Sequence, residues 1–114
     1  MMKPMRALSI KQPYAEQILR GDKIEEYRLR RTHIRERVYI YASMTPGKLI
    51  DFEKMNLRPG DLPTGVLVGT VEIVDCTHRG RDYAWHLVRP ERLAKPIKPK
   101  NKPQPAWFYP FGKK

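Results

Sequence analysis

The chain has 114 residues, 40% hydrophobic and 31% charged, which suits one modest core and excludes a disordered chain. Twenty-three Lys and Arg against twelve Asp and Glu give a net charge of +11, the balance of a domain that meets phosphate, though some proteomes are basic throughout. No apolar run approaches the roughly 18 residues of a membrane span, and one cysteine, Cys76, leaves no internal disulfide, so a reducing, cytoplasmic setting is the simplest reading.

In chain order, MRALSI predicts a first strand, and its surroundings lack the apolar run and cleavage site of a signal peptide. PYAEQILRG predicts a two-turn helix. Pro13 is placed at the first helical position, Ala15, Ile18 and Leu19 at i, i+3 and i+4, and Gly21 at the C-terminal cap. Within GDKIEEYR, Lys23 to Arg28 follows as a strand candidate, on which alternation sets Ile24, Glu26 and Arg28 on one side and Lys23, Glu25 and Tyr27 on the other. A core-facing Ile24 would carry Glu26 and Arg28 inward, and inward charges call for a partner or a ligand. Leu29 to Arg37 is an arginine-rich loop holding Arg30, Arg31 and Arg35.

RVYIYAS predicts a strand with Val38, Ile40 and Ala42 on one face and Tyr39, Tyr41 and Ser43 on the other. PGKLIDFEKMN predicts a second helix turning Leu49, Phe52 and Met55 inward, and RPGDLPTG is turn chemistry. GVLVGTVEIVDC is the longest β-prone run and predicts the central strand, with Gly69 marking a bulge or bend. Tyr83 to Val88 and Arg92 to Ile97 are two weaker strands. KPIKPKNKPQP is an extended Pro/Lys loop with Lys98, Lys100 and Lys102, and AWFYPF returns aromatics to the core. Five or six short strands with two short helices give an α+β class built on a small curved sheet or partly closed barrel, as one domain.

Several residues invite chemistry. Lys23, just past the helix cap, either projects into a cleft as a base, nucleophile or donor, or is an ordinary surface lysine. Glu26 is read as a carboxylate accepting a base amino group. Arg28 is read equally as a phosphate ligand or as one half of an ion pair with Glu26 or Glu72. Glu72, the one charge among valines and isoleucines, is placed beside Val68 and Thr70, at least half buried. Asp22 and Glu25 read as solvated. Tyr39, Tyr41, Tyr83, Trp85 and His86 offer flat faces for base stacking, Trp85 and one tyrosine row being equally suited to the core. His33, His78 and His86 show no metal spacing with each other or with Cys76, which reads as a small apolar residue. No metal or other cofactor is expected, and a monomer is favoured.

SIKQPYAEQILRGDKIEEYR resembles the opening of the ASCH domain, a branch of the PUA-like superfamily. The family pattern G-x-K-x-x-E-x-R is met by Gly21, Lys23, Glu26 and Arg28. The preceding S-x-x-Q-P, from Ser9, Gln12 and Pro13, is similar to the subfamily of the human transcription-coactivator ASCH domain. VGTVEIVDC, the Tyr83/Trp85 strand and the late Trp107 also fall where that subfamily has them, so the resemblance covers nearly the whole chain. It departs at NKPQPAW, where the family has a Lys-Gly-rich turn and this chain has prolines and no glycine.

The resemblance implies a PUA-like β-barrel with helices around it, a cleft between barrel and helix, and a nucleic-acid partner, RNA rather than DNA. Taken with the basic loops and the aromatic strand, the nucleic-acid-binding candidates are Lys23, Glu26, Arg28, Arg30, Arg31, Arg35, Tyr41, Ser43, Lys98, Lys100 and Lys102. Some relatives resemble enzymes, ribonucleases or amidohydrolases of N4-acetylcytidine. Lys23, Glu26 and Glu72 would then be the catalytic candidates. The amidohydrolase pattern also needs a threonine, and its position here falls on Ile24 or Glu26, neither a hydroxyl.

Overall fold

The valine-rich stretch lies in the middle of the sheet, as its apolar character requires. In the computed structural model, which describes residues 3–112, the elements run β1 (Ala7–Ile10), α1 (Tyr14–Leu19), β2 (Glu25–Arg28), β3 (Arg37–Ala42), α2 (Leu49–Glu53), β4 (Val66–Arg79), β5 (Asp82–Ile97) and β6 (Trp107–Phe108). They form one mixed six-stranded sheet of order β2-β5-β4-β3-β1-β6. Only β1 and β3 are parallel; the other pairs are antiparallel. The main core gathers Leu8, Ile10, Ile18, Val38, Ile40, Val71, Ile73 and Trp85, all buried. A smaller cluster forms from Ala7, Tyr41, Leu67 and Phe108.

Helix α1 is too short to persist on propensity, so packing and capping hold it. The buried Gln12 accepts the Glu16 backbone N–H through Oε1 (3.0 Å) and donates through Nε2 to the Pro63 carbonyl (3.0 Å). Pro13 sits at the N-cap rather than inside the helix. At the other end Gly21, at φ +81°, takes the left-handed conformation that suits glycine.

Gly69 lies at a register shift between β4 and both neighbours. A Cβ there would stand 2.4 Å from Leu19 Cδ2 and 2.5 Å from the Glu91 carbonyl oxygen, so only glycine lets α1 and β5 close on β4.

Four expectations are corrected. Ile24 precedes β2 and is 64% exposed, because the strand begins only at Glu25; Glu26 and Arg28 still share the inward face. Helix α2 has only five residues, which buries Phe52 and leaves Leu49 exposed. The two weak strands are one, β5, and Lys95 to Ile97, read both as the end of a strand and as the start of the loop, belong to the strand. Register shifts let the strand pass Pro90, which has no N–H to give, with Arg89 at φ +51°. Finally, the sheet is not closed by hydrogen bonds into a barrel, since no ladder joins the edge strand β2 to β6 or to the end of β1 that β6 leaves unpaired. Side chains bridge that seam instead: Arg28 Nη2 donates to the Ser9 carbonyl (2.9 Å), and Trp85 stacks on Trp107 (centroids 5.8 Å, 8°).

Candidate functional site

The seam positions the motif residues. Beyond α1, the backbone N–H groups of Asp22 and Lys23 both donate to the Gln17 carbonyl (2.9 and 3.1 Å), turning the chain back towards β2. Glu26, opposite Trp85, then points its carboxylate into the seam with 11% of the side chain exposed. Arg28 Nε donates to Glu26 Oε2 at 2.8 Å, and Lys23 Nζ stands 3.6 Å from Oε1. Arg28 also lies over the Trp85 ring at 5.6 Å, so its guanidinium is held by a carboxylate, a carbonyl and an indole. Lys23 is looser, with its ammonium 5.5 Å from the Tyr27 ring and 6.0 Å from the Tyr14 ring.

Around Glu26 and Arg28 opens a cleft of about 800 Å³. Ser9, Ile10 and Lys11 come from β1 and its continuation. Tyr41, Ser43, Met44 and Thr45 come from β3 and the turn after it, and residues 102–106 form the facing wall. That wall is tied to β1 by two bonds. Ser9 N–H donates to the Ala106 carbonyl (2.8 Å), and Ser9 Oγ–H donates to the Gln104 carbonyl (2.7 Å). Ala106 holds a left-handed φ of +62°, where the resemblance predicts a glycine-bearing turn. Prolines and a left-handed alanine thus build this wall.

The lining is mostly apolar, with Ile10, Tyr41, Met44, Pro103 and Pro105 around one carboxylate. Burial pushes the Tyr41 hydroxyl above its ordinary pKa. Tyr14 donates its hydroxyl to the Asp51 carboxylate; that bond, with desolvation, raises its pKa and fixes the ring at the mouth beside Lys23. Two lining cations, Lys11 and Lys102, have no acidic partner among the described residues. The charge on Glu26 is already answered by Arg28 and Lys23, so these two lysines leave the mouth electropositive.

The structure brings together Lys23, Glu26, Arg28, Tyr41, Ser43 and Lys102 and places the other sequence candidates elsewhere. Arg30 supplies the carbonyl that accepts the Trp85 indole N–H (3.0 Å), Arg31 lies over Tyr83 (5.5 Å), and Arg35 Nη1 donates to the Thr32 and Ile34 carbonyls. Lys98 and Lys100 are exposed on the strap that leads to the cleft wall. Glu72 pairs with Arg89 (2.8 Å) and does not line the cleft. Through Trp85, the β4 residue level with Glu26 is Cys76, so Glu72 lies four positions away, roughly 13 Å along the strand.

Glu25 is not solvated. It takes both Arg79 nitrogens (2.9 Å each) and the Tyr27 hydroxyl (2.6 Å), and Tyr27 first, then Arg79, hold its pKa below the ordinary value. Of the flat faces, Trp85 and Tyr41 are buried in the two cores, although Tyr41 still borders the cleft.

Sequence reasoning missed Lys11, Tyr14, Met44 and Gln104 as lining residues. Lys11 and Tyr14 sit inside SIKQPY, where they read as the lead-in to a helix. Their shared face emerges only when β1 and β3 pair in parallel, Ile10 beside Ala42.

Among the described residues no three His, Cys, Asp or Glu gather as a metal site, and no helix is long and apolar enough to cross a membrane. No curated protein gives a significant match to the chain. A family model, that of the ASCH domain, matches residues 8–109, from β1 to just past β6 and across every element of the cleft. The chain therefore belongs to the ASCH domain family.

Proposed function

We propose that this ASCH domain binds single-stranded nucleic acid, RNA in preference to DNA, and holds one base in the seam cleft. The observation that carries the reading is the make-up of that cleft: apolar and aromatic walls, one carboxylate, and two unpaired lysines at the mouth. A base is a flat apolar body with a polar edge. The walls suit its faces, the Glu26 carboxylate suits an exocyclic amino group, and Lys11 and Lys102 suit the flanking phosphates. The net charge of +11 supports the same partner, and the preference for RNA rests on the PUA-like kinship of the family. In this reading the seam is the unfinished side of a PUA-like barrel, kept open for the ligand. The single cysteine suits a cytoplasmic setting.

Binding carried by phosphates weakens with salt, by a slope of about 0.7 in log affinity per contact on a single strand. Fluorescence anisotropy of a labelled single-stranded RNA across a salt series should therefore show a steep fall. Salt-independent affinity, or no binding to RNA or DNA at low salt, refutes the proposal.

A hydrolase is the second reading, favoured by the close Lys23–Glu26 pair at the mouth. With Glu72 paired to Arg89 outside the cleft, only two of the three catalytic candidates share a site. Product from labelled RNA in EDTA, or from N4-acetylcytidine, that disappears in Lys23→Ala would establish the enzyme.

A further inference from the structure

A second cleft, of about 520 Å³, lies on the other side of the 102–106 wall. Lys102 and Gln104 line both clefts, so the two are neighbours across a single rim. Its other lining includes Arg6 and the aromatic row of β6 and the residue after it, Trp107 and Tyr109 foremost. Arg6 places its guanidinium carbon 5.9 Å from the Trp107 centroid and 5.5 Å from that of Tyr109.

The platform is rigid. Glu36 takes the Arg6 Nε–H at 3.1 Å, Trp107 stacks on Trp85, and Asn101 Nδ2 donates to the Tyr109 carbonyl at 2.7 Å. Neither Trp107 nor Tyr109 is buried, and among the described residues no carboxylate lines this cleft. Preset aromatic and guanidinium planes beside Lys102 form a surface on which a base stacks without sequence preference.

Resting on the base-binding reading of the first cleft, we propose that the second cleft is an adjoining nucleotide subsite. A strand with one base in the seam cleft crosses the rim at Lys102 and Gln104. Lys102 meets the phosphate between the two nucleotides, and the next base lies against Arg6, Trp107 and Tyr109. The ligand class is thereby a strand of at least two nucleotides, not a free nucleoside or mononucleotide.

The test compares uridine 5′-monophosphate with uridylate di- and trinucleotides. A base stacked on an aromatic platform gains about tenfold or more in affinity, so the dinucleotide should exceed the mononucleotide by about that factor. Tyr109→Ala should remove most of the gain and leave mononucleotide affinity unchanged. Photo-crosslinking of the unaltered protein needs no variant to fold. With 4-thiouridine stepped along an oligonucleotide, one position should crosslink in the Tyr41–Met44 peptide and its neighbour in the Trp107–Tyr109 peptide. Crosslinks at Tyr41–Met44 alone, with equal affinity for mono- and dinucleotide, overturn the second subsite and leave the first standing. No crosslink and no binding at either cleft overturns both.

Discussion

Two carboxylates of this domain, Glu16 and Glu26, are each almost wholly buried and each face two cations, yet they do different things. Glu16 on α1 takes Arg92 in bidentate fashion (2.9 Å to each oxygen) and Arg20 at 2.7 Å, which ties the helix to β5. Its oxygens are occupied, and it lines neither cleft. Arg92 first, and then Arg20, hold its pKa below the ordinary 4.5 against the opposing cost of burial. Glu26 has one close partner, Arg28, while Lys23 stays at 3.6 Å and the carboxylate borders a cleft. Burial and pairing alone therefore do not mark a site; spare acceptor capacity towards an open space does.

The comparison breaks most visibly at Glu16. Glu16→Gln should lower stability by about 2 kcal/mol in denaturant unfolding while leaving RNA affinity unchanged. That is less than the roughly 3–5 kcal/mol of a fully buried pair, because Arg20 and Arg92 are about half exposed and regain water. The pH dependence has a definite sign. A carboxylate with a lowered folded pKa stabilises fully above the unfolded value, and that contribution is lost as pH falls from 4.5 through the folded value. Between the two variants, the wild type should lose more stability on acidification below pH 4.5, and parallel curves would contradict this role for Glu16.

Glu26→Gln should do the reverse. RNA affinity should fall about tenfold, the worth of one charge-assisted hydrogen bond to a base amino group. Stability should drop by only about 1 kcal/mol, since Arg28 keeps the Ser9 carbonyl and the Trp85 face. An unfolding midpoint that falls as far as that of Glu16→Gln, with affinity intact, would make the two carboxylates equivalent.

The smallest effect concerns the cleft wall. Ala106→Gly relieves a left-handed alanine, roughly 1–2 kcal/mol, and adds backbone freedom to the unfolded chain, roughly 0.5–1 kcal/mol. The net should be a stabilisation of about 0.5–1 kcal/mol. A loss of stability on thermal unfolding would show that the strain is not carried at this residue.

Local patterning foretold much of this: the Ile18 face of α1, the Val38/Ile40/Ala42 face of β3, the central β4 and the shift at Gly69. Each depends on side-chain period or on a single special residue, and both are written in sequence. Failures arose where a boundary decided a face. Ile24 is exposed because β2 starts at Glu25 rather than at Lys23, and Leu49 because it is the first residue of a helix only five residues long. The site divided in the same way. Glu26 and Arg28 were legible from alternation and the motif, whereas Glu72 depended on a register four residues long through shifted strands. Lys11, Tyr14 and Gln104 were invisible, because what unites them is the seam between β2 and β1, a feature of topology.

The central claim is that the seam cleft, and not the basic surface at large, receives nucleic acid. Backbone amide shift mapping of the labelled protein titrated with a short single-stranded RNA tests it directly. The account predicts the largest shifts at Ser9 to Lys11, at Glu26 to Arg28, at Tyr41 to Thr45 and at Gln104, with little change at Arg79 to Asp82 on the β4–β5 turn. Shifts spread over the arginine-rich loop and that turn, with the cleft residues unmoved, would contradict it.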